Sequence, residues 1–166
     1  MKLYINWLAA GLVVPAAIAS TGAQAATTTT TFPVTATVLK ACAVNANPLA
    51  FGTYDPTAAT PLDATTTLSV LCTVGTSFTV GLNAGTATGA TVTSRKMTNG
   101  ANTLNYALFQ EAARTSNWGN TPGTDTPPAT TAPVLPTTLT VYGRVAAAQN
   151  VPAGAYTDTV TVTVNY

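Results

Sequence analysis

The stretch LSVLCTVGTSFTVGLNAG, from Leu68 to Gly85, gives the clearest indication of the fold class of this chain. Apart from Leu71, apolar residues alternate with small or polar residues in two short runs, Leu68–Val74 and Phe78–Leu82. Successive side chains of a strand point to opposite faces, so this alternation is typical of strands with one buried face. Asn83-Ala84-Gly85 is a turn signal that ends the second run. The stretch therefore predicts two β-strands.

The same alternation recurs along the chain, and threonine fills many of the polar positions. The further runs are Phe32–Val38, Leu104–Leu108, Leu139–Val145 and Tyr156–Tyr166. A proline-rich stretch from Ser116 to Pro136 predicts one long surface loop. No helical period of any length follows the first residues of the chain. Six or seven short strands with one disulfide predict an all-β protein, an immunoglobulin-like β-sandwich.

The composition excludes several classes of function. The chain has 166 residues, 46% hydrophobic and 7% charged, which fits a single domain. Six basic and five acidic residues form no basic surface, so we expect no nucleic-acid partner. Histidine is absent, which removes the commonest general base, and two cysteines alone cannot complete a zinc site. We therefore expect no enzyme activity, with no catalytic residue, metal, cofactor or small-molecule substrate.

The five carboxylates share no catalytic motif. They are Asp55, Asp63, Glu111, Asp125 and Asp158, and they fall in predicted turns and strand edges. Glu111 lies three residues before Arg114, which predicts a local ion pair between the two side chains. We expect Asp158 to tie down the start of the last strand.

Residues 1–25 have the pattern of a secretory signal peptide. Lys2 precedes an apolar run from Leu8 to Ile18, and Ala23-Gln24-Ala25 predicts cleavage before Ala26. The alternative, a transmembrane anchor, is disfavoured by the short apolar run. Export exposes Cys42 and Cys72 to an oxidising compartment, where we expect them to form a disulfide. Two free thiols would require a reducing compartment.

The segment 26–40 precedes the predicted body of the domain. Its threonine run, Thr27–Thr31, leads into the alternating run Phe32–Val38. Such a strand can pair within its own sheet, as most first strands do. It can also leave its own domain and add to the sheet of a neighbouring molecule. The pattern by itself leaves both alternatives open.

Four blocks of sequence in a particular order carry a family resemblance. They are Leu49–Pro56, Leu68–Thr73 with Phe78–Gly85, Tyr106–Arg114 with Trp118-Gly119, and Val141–Val145 with Gly154–Val160. Together they span nearly the whole chain after the predicted cleavage site. This ordered set resembles the spore coat protein U domain family, which includes subunits (pilins) of archaic chaperone–usher pili.

The resemblance implies an incomplete immunoglobulin-like domain at residues 41–166, completed by a donor strand from a neighbouring subunit. A periplasmic chaperone would lend a strand first, and an outer-membrane usher would exchange it for the next subunit's extension. The donor side chains would be Phe32, Val34, Ala36 and Val38. The strand bordering the groove would carry Tyr156, Val160, Val162, Val164 and Tyr166. Pro33 departs from a regular donor strand, because it has no N–H to give to a ladder.

The resemblance thus implies a structural subunit of a secreted surface fibre that supports adhesion and biofilm formation. Its partners would be copies of itself or related pilins, together with the chaperone and the usher. The chain would pass through the periplasm to the cell surface. One alternative is a spore or biofilm coat protein of the same fold. Another is a secreted carbohydrate-binding module with sugar-stacking aromatics such as Trp118, although a core position is the commoner role of such residues.

Overall fold

The computed structural model describes residues 22 and 24–166. Apart from residues 22, 24 and 25, the predicted signal peptide lies outside the described residues. Contacts divide the chain into two units, one ending at Ala36 and one spanning Thr37–Tyr166. The described residues contain no helix long and apolar enough to cross a membrane.

The second unit is built from eight antiparallel strands. They are β1 (Cys42–Ala46), β2 (Leu62–Cys72), β3 (Ser77–Leu82), β4 (Arg95–Asn99), β5 (Asn102–Phe109), β6 (Thr130–Thr131), β7 (Thr137–Val145) and β8 (Val162–Asn165). One sheet has the order β1-β2-β7-β5-β4, and the other has the order β6-β3-β8. The all-β prediction is confirmed.

The alternating apolar residues of both sheets meet in one core. Leu68 and Val70 of β2 and Val80 and Leu82 of β3 are buried in it, as their spacing predicts. Trp118, at 1% exposure, also lies in the core, and its indole N–H donates to the carbonyl of Val80 at 2.8 Å. The core interpretation of this tryptophan is therefore confirmed, and its ring is not accessible for sugar stacking.

Cys42 and Cys72 form the predicted disulfide. The two residues are register partners at one end of the β1–β2 pair. The bridge therefore ties the beginning of the first strand to the end of the second.

Arg95, the first residue of β4, is a buried cation that the sequence did not predict. Its side chain has 0% exposure, and its guanidinium donates to main-chain carbonyls at 2.7–2.9 Å. The acceptors belong to Leu82, Asn83, Val92 and Trp118. Burial lowers the pKa of Arg95 from its usual value, against the attraction of the nearby Asp158 and Asp125 carboxylates. The side chain joins the end of β3 to two loops.

Two predicted strands differ in the isolated chain, because Phe32–Val38 forms no strand and Tyr156–Tyr166 forms one only in part. Residues 24–41 contain no strand, so the alternating run Phe32–Val38 has no ladder partner within this chain. A strand without a neighbour leaves its main-chain N–H and C=O groups without ladder partners. An alternating side-chain pattern does not provide a partner strand. The predicted last strand, Tyr156–Tyr166, is reduced to β8, and Thr157 instead forms a bridge with Thr98 of β4. The chain there crosses from one sheet to the other.

The predicted ion pair between Glu111 and Arg114 is also wrong. The Glu111 carboxylate accepts hydrogen bonds from the main-chain N–H groups of Thr115 and Ser116 instead. Arg114 lies 3.3 Å from Asp63, which also forms a two-pronged ion pair with Arg144. Strand pairing places Asp63 opposite Arg144 across β2 and β7, and Arg114 also donates to the neighbouring Gly143 carbonyl at 3.3 Å, so its guanidinium lies beside Asp63.

An open groove as the candidate functional site

Two adjoining cavities lie on one side of the second unit. Their volumes are about 650 Å³ and about 580 Å³. Both are lined by Leu49, Phe51, Met97 and Tyr156, so they form one continuous depression. We call this depression the groove.

The groove lies between two irregular segments above the core. One wall runs from Ala46 to Pro56 and the other from Val151 to Val162. The floor consists of core side chains, namely Leu68, Leu82, Leu104, Tyr106, Leu108, Val141 and Val145. Apolar wall residues such as Leu49, Phe51 and Val160 are only half-buried. On this side, the core is therefore not fully covered by the two sheets and their connecting segments.

A free strand edge runs beside the groove. Among the described residues, β8 pairs only with β3, and β1 pairs only with β2. These two edge strands lie close together but form no ladder with each other. A strand paired on one side leaves alternate N–H and C=O groups pointing away from its partner. The far edge of β8 can therefore accept one more strand.

Because Gly143 has no side chain, the wall segment from Leu49 to Phe51 can pack closely against β7. Gly143 is a buried residue of β7, and a Cβ atom there would come within 2.8 Å of both the Leu49 and Phe51 side chains. The Phe51 ring meets the Tyr106 ring edge-on, with their centroids 6.0 Å apart. Tyr54 secures the end of the same segment, because its hydroxyl donates to the Ala146 carbonyl at 2.9 Å.

Asp158 anchors the opposite wall. The sequence predicted that it would tie down the start of the last strand, but β8 begins only at Val162, and Asp158 lies in the irregular segment before it. Its carboxylate accepts hydrogen bonds from Thr86 N–H, Thr159 N–H and the Tyr106 hydroxyl at 2.7–2.9 Å. Burial alone would raise the pKa of Asp158, but these hydrogen bonds outweigh it and lower the pKa below the usual value. Burial raises the pKa of Tyr106, and the hydrogen bond to Asp158 raises it further. The hydrogen bonds of the Asp158 carboxylate therefore indicate a structural role for this side chain.

The groove-bordering residues expected from the sequence are only partly placed along it. Tyr156, Val160 and Val162 line the groove. Val164 packs against the core beyond it, and Tyr166 is 59% exposed. In the unit ending at Ala36, Phe32 and Val34 are 80% and 82% exposed, and Ala36 is also exposed. Val38, in the second unit, is 82% exposed.

Leu49, Phe51 and Met97 were not predicted as groove residues. The alternation in Leu49-Ala50-Phe51 was a usable signal, since it places two large apolar side chains on one face. Met97 lies in β4, where apolar alternation is lacking, and nothing in its neighbourhood indicates a cavity.

The chemistry of the groove is that of a binding surface. Its lining is predominantly apolar, and its one carboxylate is already hydrogen-bonded. Within residues 24–166, no group of three or more histidine, cysteine or acidic residues could hold a metal ion. An apolar groove beside a free strand edge fits an extended peptide with alternating apolar side chains.

Comparison with known proteins identifies the family. Residues 28–163 match the model of the Spore Coat Protein U domain. Protein U of Myxococcus xanthus is 38% identical over 164 residues, which cover 90% of each chain.

Two solved structures share the fold. One is the complex of the chaperone CsuC with the tip adhesion subunit CsuE, from archaic chaperone–usher Csu pili of Acinetobacter baumannii. The match has a TM-score of 0.56 and 28% identity, and it covers 78% of this chain but only 40% of that chain. The other is the P pilus rod subunit PapA, with a TM-score of 0.50, 13% identity, and coverage of 75% of this chain and 98% of that chain. These likenesses confirm the immunoglobulin-like pilin fold.

The family model covers the exposed segment 28–41 and both sheets, and the alignment with Protein U covers 90% of the chain. The chain therefore belongs to the spore coat protein U domain family.

Proposed function

We propose that this protein is a structural subunit of a chaperone–usher pilus and is assembled by donor-strand exchange. In this proposal, residues 26–40 of one copy fill the groove of the next. The observation that carries the proposal is the groove itself, an uncovered part of the core beside the free edge of β8. An uncovered edge of this kind is an aggregation hazard unless another chain covers it.

The alternating run Phe32–Val38 has the form of the missing cover. Phe32, Val34, Ala36 and Val38 fall on one face of an extended strand and span about 20 Å along it. The groove wall from Tyr156 to Val162 has the same number of residues as the run Phe32–Val38. Main-chain bonds to β8 would give affinity, and the four side chains would enter the groove.

The proposal includes a division of the chain and a route of export. Residues 1–25 are removed as a signal peptide, residues 26–40 are the donor extension, and residues 41–166 are the pilin domain. The partners are a periplasmic chaperone, an outer-membrane usher and further copies of this chain or related pilins. A structural neighbour with 28% identity is itself a chaperone-bound subunit, which supports this assignment. The fibre at the cell surface serves adhesion and biofilm formation, without catalysis.

The test is a pair of substitutions on opposite faces of the proposed donor strand. Val34→Asp would place a carboxylate in the apolar groove, whereas Thr35→Asp would point away from it. The full chain is co-expressed with its chaperone and usher, and fibres are scored by electron microscopy and by SDS-resistant oligomers. Because burying an unpaired charge is costly, we expect Val34→Asp to abolish fibres and Thr35→Asp to keep them.

Equal fibre yields from the two variants would contradict the donor-strand role. Equal loss of fibres in both variants would mean that a charge at either position is not tolerated. It would remove the evidence that only one face of residues 32–38 enters the groove. The periplasmic yield of each variant with the chaperone checks that both subunits fold.

A coat protein of the same fold is the second candidate function. The observation that favours it is the match to the Spore Coat Protein U domain, together with the identity to Protein U. Both candidates would use strand exchange, but the pilus is a linear fibre and the coat is a layer. Electron microscopy of the assembled material therefore distinguishes them: thin linear fibres would support the pilin, and a continuous surface layer without fibres would favour the coat.

A further inference from the structure

An exposed apolar patch lies at one end of the second unit, apart from the groove. Its side chains are between 46% and 77% exposed. They are Leu39, Leu71, Val74, Val134 and Leu135, and we call this set the end patch. None of these residues lines the groove.

Hydrogen bonds gather the end patch around one turn, Thr73–Thr76. The Thr73 hydroxyl donates to the Leu39 carbonyl at 3.1 Å, and Thr73 N–H donates to the Ala41 carbonyl at 2.9 Å. Leu71 precedes this turn in β2, and Val74 is part of it.

The proline-rich loop reaches the same turn from the other side. Ala132 N–H donates to the Thr76 carbonyl at 2.8 Å, and the Ala132 carbonyl accepts from Gly75 N–H at 3.0 Å. Thr137 is the register partner of Val70 in β2. The intervening Val134 and Leu135 therefore pass the turn between these two attachments.

The chain leading to the proposed donor strand begins at this patch. The Leu39 carbonyl is held by Thr73, and Val38, the last proposed donor side chain, is the preceding residue. One residue of extended chain spans only about 3.5 Å. A neighbouring subunit that holds Val38 in its groove therefore comes within about one residue of the Thr73–Thr76 turn, around which the end patch lies.

We propose that the end patch is a second contact surface between successive subunits, occupied by the copy of this chain that receives the donor strand. This inference rests on the proposed function, because the short connection from Val38 is what brings the neighbour to the patch. The contact is apolar, and it limits the bending of one subunit against the next. It accounts for exposed leucine and valine side chains in the otherwise threonine-rich surface.

Photo-crosslinking in assembled fibres tests the contact directly. A photoreactive benzoyl-phenylalanine replaces Val74 in the full chain, and the matched control replaces Thr103, an exposed residue of β5. We expect adducts between two subunits to form several-fold more from position 74 than from position 103. Equal yields from both positions, or adducts with the chaperone alone, would overturn the proposal.

A paired substitution separates this proposal from donor-strand exchange itself. Val74→Asp with Leu135→Asp should leave SDS-resistant oligomers unchanged but make the fibres more flexible, as measured by their persistence length in electron micrographs. Thr103→Asp should change neither. Unaltered flexibility in the double variant would refute the second contact alone. Absence of SDS-resistant oligomers in the unmodified protein would refute both proposals.

Discussion

Replacement of Arg95 by methionine should be among the most destabilising single changes in the second unit. Methionine keeps a long unbranched side chain but has no donor for the carbonyls that the guanidinium now binds. The hydrogen bonds to Leu82 and Trp118 are buried, so no water replaces them. The bonds to Asn83 and Val92 are only partly buried, and water can replace those.

The expected loss follows from the two buried carbonyls. Leaving a buried acceptor without a partner costs about 1–3 kcal/mol, and breaking a buried charged network costs about 3–5 kcal/mol. We therefore expect Arg95→Met to lower the free energy of unfolding by about 3–5 kcal/mol. With a slope of about 1.5 kcal/mol per molar urea, the unfolding midpoint should fall by about 2–3 M.

Arg144→Met is the matched control, because it makes the same chemical change at a partly exposed ion pair. Its loss should stay below about 1 kcal/mol, the usual range for a surface pair. Unfolding is followed by the fluorescence of Trp118, the only tryptophan after residue 25, which is buried beside the Arg95 contact. If both variants shift the midpoint equally, the carbonyls of Leu82 and Trp118 do not depend on Arg95, and the reasoning fails.

Three further predictions concern the disulfide, the groove wall and acid stability. Cys42→Ser with Cys72→Ser should lower the free energy of unfolding by about 3–4 kcal/mol, since the bridge spans a sequence separation of 30; an unchanged urea midpoint would contradict this. Gly143→Val should push Phe51 into the groove and reduce the binding of a synthetic peptide of residues 26–40, measured by calorimetry; undiminished affinity would contradict the role of the glycine. Because hydrogen bonds lower the pKa of Asp158, its stabilisation is present above pH 3.8 and is lost as the pH falls through the lowered value. The stability difference between the unmodified protein and Asp158→Asn should therefore shrink below pH 3.8, and a difference that persists there would contradict it.

Strands with strong alternation were predictable from the sequence, and the others were not. Phe78–Leu82 was predicted almost as β3, because its apolar side chains alternate and one face is buried. β1 and β4 were missed, since CAVNA and RKMTN have little alternation and their strand form depends on pairing with β2 and β5. Residues 32–38 show the converse, because alternation without a partner strand gives no strand.

The fold class, the disulfide and the family could be read from the amino-acid sequence, because alternation, cysteine number and ordered motifs are local properties of the chain. The open groove between Leu49, Phe51, Tyr156 and Val160 depends on the packing of the whole domain. So do the burial of Arg95 and the ion pair of Arg114 with Asp63 rather than with Glu111. These contacts join residues far apart in sequence, and their partners are chosen by sheet order and register, which no local pattern specifies.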